Sequence, residues 1–345
     1  MASAAGRKVA VVTGGTAGVG RAAATEFAEH GYDVAVLARG RAGLEGAVTD
    51  IEKSGRRGLA VTTDVTDANA VEGAADTVER ALGEIDVWVN AAFVGSLAYF
   101  WETEPDEYRR ITEVTYFGQV HGTRAALNRM RPKDRGVIIN VGSAMAYRSI
   151  PLQSAYCGAK HAVKGFTESI RTELISERSN VDLCMVQLPG LNTPQFTWNL
   201  NKMPQHPLPV PPIFQPELAG KAIRFLAEHP RRNMWVGFST IYTILGERVA
   251  PTLLERYLGR NAVAGQQTST STQRRGSNLA EPSDEAVDAG AHGPFDQRAH
   301  SHDPQLWTST HRRGVLYGIA VSAVAAAVLT FGNVRRRDNR VPLDW

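Results

Sequence analysis

Tyr156 and Lys160 stand four residues apart, and Ser143 precedes the tyrosine in the run Val-Gly-Ser-Ala-Met-Ala-Tyr-Arg-Ser-Ile-Pro-Leu-Gln-Ser-Ala-Tyr-Cys-Gly-Ala-Lys. On a helix, positions i and i+4 share a face, so the phenol and the ammonium point the same way. A neighbouring cation favours phenolate and lowers a tyrosine pKa. A tyrosine tuned in this way gives or takes a proton near neutral pH. Alone, a Tyr-x-x-x-Lys pair is a common accident of helices, and it gains meaning only from a second motif.

That motif lies near the N-terminus, in Lys8-Val-Ala-Val-Val-Thr-Gly-Gly-Thr-Ala-Gly-Val-Gly20. The apolar run Val9 to Val12 reads as a buried strand. A glycine-rich turn follows directly, and Arg21 to His30 then has helical composition and stops at Gly31. Strand, glycine turn and helix in this order form a dinucleotide cradle. The bare backbone lets a pyrophosphate approach, and the helix N-terminus faces it with partial positive charge.

With both motifs in place, the chain resembles the short-chain dehydrogenase/reductase family over about residues 7 to 240. Five motifs in the family's order carry the likeness. Gly14, Thr16, Gly18, Val19 and Gly20 match its cofactor loop, and Ser143, Tyr156 and Lys160 match its catalytic set. Asp64 and Val65 resemble the pair that contacts adenine. Asn90 follows the fourth strand, and Pro189, Gly190 and Thr193 resemble the segment that holds the nicotinamide amide. The resemblance implies an NAD(P)-dependent oxidoreductase that moves a hydride between nicotinamide and a carbonyl or secondary alcohol. It also implies a homo-oligomer.

Two departures from the family pattern stand out. Where the family has Asn-Asn-Ala-Gly, this chain has Asn90-Ala91-Ala92-Phe93, so the glycine is lost. Where the family has its catalytic asparagine, the run Val114-Thr115-Tyr116-Phe117-Gly118 offers Thr115. By resemblance Thr115 joins the catalytic set, with a hydroxyl in place of an amide.

In such sheets the residue ending the second strand selects the cofactor: a carboxylate bonds the ribose 2′-hydroxyl, whereas an arginine accepts a 2′-phosphate. Here Asp33 to Leu37 is followed by Ala38, Arg39, Gly40 and Arg41. With no acid at that point and Arg39 beside it, NADP(H) is expected over NAD(H).

The elements that must position these groups alternate. Strands are expected near residues 8–13, 33–38, 58–63, 85–90, 136–141, 181–188 and 234–237, with helices between them and long ones near 104–130 and 153–178. This pattern predicts an α/β fold, a doubly wound parallel sheet of Rossmann type, as a single catalytic domain with a C-terminal tail. The site residues all follow strand ends, where ligands of such sheets bind.

Composition narrows the classes further. The net charge is only +3, which gives no argument for a nucleic-acid partner. Two cysteines, Cys157 and Cys184, offer neither a disulfide framework nor a zinc site, and the histidines show no metal spacing. Residues 192–216 are too proline-rich for a long helix, and with Phe196, Trp198 and Phe214 they suit a lid over an apolar or lipid-like substrate. Phe93, Tyr99, Phe100 and Trp101 suit the same role.

The chain divides into a catalytic domain over 1–260, a disordered polar linker over 261–312 and an apolar C-terminal segment over 313–345. Residues 315–332 carry no charge and are bracketed by arginines. As a helix they would span about 27 Å, close to the ~30 Å hydrocarbon core, so a membrane anchor is expected. The first strand begins too soon for a signal peptide, which places the catalytic domain in the cytoplasm, tethered to a membrane. The competing reading is a membrane-tethered nucleotide-binding scaffold with little or no turnover, supported by Thr115 and the altered Asn-Ala-Ala-Phe run. Epimerisation or dehydration at the same site also fits the sequence.

Overall fold

The computed structural model describes residues 7–272, 276–312 and 314. Seven strands form one parallel sheet: β1 (Val9–Thr13), β2 (Asp33–Ala38), β3 (Gly58–Thr62), β4 (Ile85–Asn90), β5 (Gly136–Val141), β6 (Val181–Gln187) and β7 (Asn233–Trp235). Their spatial order is β7-β6-β5-β4-β1-β2-β3. The sequence of connections reverses between β1 and β4, and this opens a crevice at the carboxyl ends of the strands. The expected strands and the doubly wound sheet are thus observed.

The central strands read as continuous apolar runs because helices cover both faces of the sheet. All five residues of β1 are buried, and Trp88, Ile138 and Ile139 in β4 and β5 are fully buried. Register then aligns the strand ends that make the floor of the crevice: Thr13 pairs with Asn90, and Asn90 with Asn140.

Helices α1 (Gly18–Glu29), α2 (Arg41–Lys53) and α3 (Ala68–Leu82) follow the first three strands. Asp67 caps α3 by accepting from the backbone N–H groups of Asn69 and Ala70. By contrast, the N-cap residues of α1 and α2, Ala17 and Gly40, make no side-chain capping bond, which leaves the first N–H groups of both helices to partners from elsewhere in the chain. The long helix expected near 104–130 is observed: α4 (Pro105–Thr112) runs through a π-helical turn (Glu113–Phe117) into α5 (Gly118–Met130), with helical backbone at both junctions. Ser154–Ser176 forms α6, which carries Tyr156 and Lys160.

The proline-rich segment holds only a short helix, α7 (Gln195–Trp198), followed by α8 (Pro216–Glu228), α9 (Phe238–Val249) and α10 (Pro251–Gly265). Phe196, Leu208, Ile213 and Phe295 make a small apolar cluster beneath it.

The tail departs from expectation. The first compact unit runs to Asp303, and residues 276–303, expected as a disordered linker, pack on the domain. Leu279 and Phe295 are buried apolar anchors. Polar contacts add to them: Arg39 donates to Asn278 O and Ala280 O, and Gly43 N donates to Asp284 O. Composition measures apolar content, so it misses a segment held chiefly by hydrogen bonds to arginines and open helix ends. The expected membrane segment, residues 315–332, lies outside the described residues. Among the described residues, no helix is long and apolar enough to cross a membrane. Cys157 and Cys184 are both free and buried.

Candidate active site

The glycine turn after β1 is tight because other backbone crowds it. Gly14 has φ +67°, and a Cβ there would lie 2.6 Å from Ala92 Cα. Only a residue without a side chain fits both constraints. Thr13 Oγ1 accepts from Ala91 N and Ala92 N, at 3.1 and 3.3 Å, and so holds the run after β4 against the turn.

Two adjoining cavities open at the strand ends. The nucleotide-side cavity, about 130 Å³, is lined by Gly14, Thr16, Gly18, Val19, Gly20, Arg39, Asp64 and Val65. The second, about 320 Å³, is lined by Ser143, Tyr156, Lys160, Pro189 and Gly190 with a mainly apolar wall. Val19, Phe93 and Thr193 line both cavities. Of the expected site residues, all but Asn90 and Thr115 face one cavity or the other.

Asn90 needs correction as a cofactor contact. Its amide donates to Asn140 Oδ1 at 2.8 Å and Thr123 Oγ1 at 3.1 Å, and its Oδ1 accepts from Trp88 Nε1 at 2.8 Å. Asn140 in turn donates to Thr167 Oγ1. This buried polar network ties β4 to β5, α5 and α6 beneath the floor of the crevice, and it commits the Asn90 side chain to the protein.

Thr115 is fully buried in the π-helical turn. Its hydroxyl donates to Val94 O at 2.9 Å and accepts from Val94 N at 3.2 Å. It therefore pins the strand-end run and reaches neither cavity, which makes it a positioning residue.

Ser143 follows β5 and accepts from Met145 N at 3.2 Å. Lys160 is 2% exposed and donates to Val141 O at 2.7 Å. Its ammonium lies 5.5 Å from the centroid of the Tyr156 ring and 5.7 Å from that of Phe93. Burial pushes Lys160 down to about 7. Burial also raises the Tyr156 phenol above its usual range, and the Ser143 hydroxyl only partly offsets this. The expectation that Lys160 lowers the phenol's pKa is not met in this arrangement, in which burial dominates both groups.

On the nucleotide side, burial raises the Asp64 carboxyl, but hydrogen bonds from Arg110 and Thr66 outweigh it and hold the group below its usual range. The Arg110 bond is 2.6 Å long. Sequence reasoning missed Arg110, since an arginine on a helix face carries no local signal. It also missed Arg21, which follows the glycine turn, is 3% exposed and donates to Thr16 O at 3.0 Å.

Two observations bear on whether these residues fit a nicotinamide dinucleotide. Thr193 Oγ1 is buried where the two cavities meet, with no hydrogen-bond partner among the described residues. Lys160 spends one N–H on Val141, which leaves donors for ribose hydroxyls. The donor set fits the nicotinamide half of such a cofactor.

Comparison with known proteins decides the family. Residues 8–204 match the short chain dehydrogenase family. The chain belongs to that family. It is 32% identical over 255 residues to the uncharacterised oxidoreductase YxnA of Bacillus subtilis, covering 73% of this chain and 71% of that one. It is 31% identical over 188 residues to dehydrogenase/reductase SDR family member 7B of Bos taurus, spanning 53% of this chain and 57% of that one. An alcohol dehydrogenase from the archaeon Thermococcus sibiricus, solved with 5-hydroxy-NADP, superposes with TM-score 0.57 at 25% identity, covering 67% of this chain and 95% of that one. This short-chain dehydrogenase is accordingly an NAD(P)-dependent oxidoreductase.

Proposed function

We propose that the protein reduces apolar carbonyl compounds, and oxidises the corresponding secondary alcohols, with NADP(H) as preferred cofactor. The observation that carries the reading is the meeting of Ser143, Tyr156 and Lys160 on one wall of a largely apolar cavity of about 320 Å³. Leu97, Met145, Ile150, Phe196 and Leu254 supply the apolar lining.

When bound, the dinucleotide supplies the hydride for the carbonyl carbon. Ser143 Oγ hydrogen-bonds the carbonyl oxygen and stabilises the negative charge that develops there. Tyr156 donates its proton to that oxygen, completing the alcohol. The phenol is protonated at neutral pH, and the alkoxide that forms on hydride addition is basic enough to take its proton. Lys160 and Thr193 hold the ribose hydroxyls and the amide of the nicotinamide half.

The NADP(H) preference is supported by Arg39 and by the absence of a carboxylate at Ala38, the end of β2. The Thermococcus sibiricus neighbour carries an NADP derivative. Attachment to a membrane through residues 315–332 is part of the proposal and is supported by the uncharged stretch alone. The test of cofactor choice is kcat/KM with NADPH against NADH; equal values would sink the preference.

A further inference from the structure

Residues 278–290 run along the phosphate end of the nucleotide cleft. We infer that this segment is an intramolecular anionic ligand for that end, and that dinucleotide binding requires its displacement. The inference rests on the cofactor reading above.

The segment takes the groups a phosphate would use. Arg39, the arginine placed for a 2′-phosphate, donates to Asn278 O at 2.6 Å and Ala280 O at 2.7 Å. The opening turn of α2 is spent in the same way: Arg41 N donates to a Glu285 carboxylate oxygen, Ala42 N to Glu285 O and Gly43 N to Asp284 O. At the start of α1, Gly18 N donates to Gly290 O at 3.1 Å. Uncapped helix N-termini are sites for phosphate oxygens, and here backbone and carboxylate oxygens of the chain itself fill them.

Charge points the same way. Residues 278–290 contain Glu281, Asp284, Glu285 and Asp288 and no basic residue. Asp288 pairs with Arg21 through both carboxylate oxygens, at 3.1 and 3.0 Å. The Asp284 carboxylate packs against Gly40 and Gly43, in space that a Cβ at either glycine would contest. Four acids facing Arg21, Arg39 and Arg41 reproduce the charge pattern of a phosphorylated ligand.

Space gives an independent argument. Asn278, Pro282, Ser283 and Asp284 form one wall of the nucleotide-side cavity, which is only about 130 Å³. Ligand pockets for molecules of drug size hold roughly 300–1,000 Å³, and a dinucleotide is larger than most. With the segment seated, part of the room and the Arg39 and helix-end donors at the phosphate end are taken by the chain itself.

The experiment uses full-length protein. NADPH is titrated against the wild type and against an Asp284→Asn/Asp288→Asn double variant, which keeps side-chain size while removing charge. Hydrogen exchange of residues 278–290 in the wild type is followed with and without saturating NADPH. The inference predicts a Kd at least fivefold tighter for the variant and exchange that rises on binding. Exchange that falls on NADPH binding, or a variant that binds more weakly, would overturn it and make the segment part of the holo site. The exchange arm needs no variant, so it decides even if the substitutions impair folding. Failure of both proteins to bind NADPH would instead remove the cofactor reading, and the inference with it.

Discussion

Lys160 donates to the carbonyl oxygen of Val141 at 2.7 Å, so the last residue of β5 anchors the buried cation that stands 5.5 Å from the Tyr156 ring. The bond fixes where the ammonium sits but does not restore its hydration. A lysine removed from water favours its neutral form, and Lys160 is pushed down to about 7.

That shift has a sign that can be checked. Between about pH 7 and the ordinary lysine value of 10.5 the unfolded chain binds a proton that the folded cofactor-free protein does not. Stability therefore rises with pH through this window, by at most about 1.4 kcal/mol per pH unit. The cost of burying the charge is fully present below pH 7. Denaturant midpoints from pH 7 to 9 should climb for the wild type, and the Lys160→Met variant should show a flatter profile. Parallel profiles would mean that Lys160 keeps its charge.

Thr115 should act through Val94 rather than through the reacting atoms. Thr115→Val leaves both backbone groups of Val94 without their partner, at a cost of roughly 1–3 kcal/mol. A thermal midpoint lower by a few degrees and a turnover more than tenfold slower are expected, with Thr115→Ser restoring both. An unchanged rate in the valine variant would remove Thr115 from any part in turnover.

Gly14→Ala tests the cradle. A methyl group there meets Ala92 backbone at 2.6 Å and a backbone φ of +67° that L residues rarely adopt. NADPH affinity should fall at least tenfold while the rest of the sheet stays folded by circular dichroism. Wild-type affinity would show that the turn relaxes freely.

How much of this was legible in the sequence depends on locality. The strands were readable because those covered on both faces, such as Val9–Thr13, must be continuous apolar runs. Ser143, Tyr156 and Lys160 were readable because one strand end and one helix turn bring them together. Asn90, at a strand end, and Thr115, in a helical turn, both turn inward to satisfy buried polar groups, a direction that position along an element does not give. The seating of residues 278–290 was invisible because its partners, Arg21, Arg39 and the open ends of α1 and α2, lie more than two hundred residues earlier.

The same distance shapes the expected behaviour of Arg39. Arg39→Ala removes the 2′-phosphate partner and also a tether of the 278–290 segment. NADPH efficiency should fall, whereas NADH efficiency should hold or rise, so the NADPH-to-NADH ratio drops at least tenfold. A ratio that stays put would assign the 2′-phosphate to other groups.

The most direct test of the account is NADPH oxidation over a panel of apolar ketones and aldehydes, with wild type and Tyr156→Phe assayed side by side and NADPH affinity measured for both. The account predicts turnover in the wild type and a loss of about 10²–10⁴-fold in the variant, the range expected for removing a general acid, with NADPH affinity kept. Turnover equal in both proteins would contradict the assignment of Tyr156 as the proton donor.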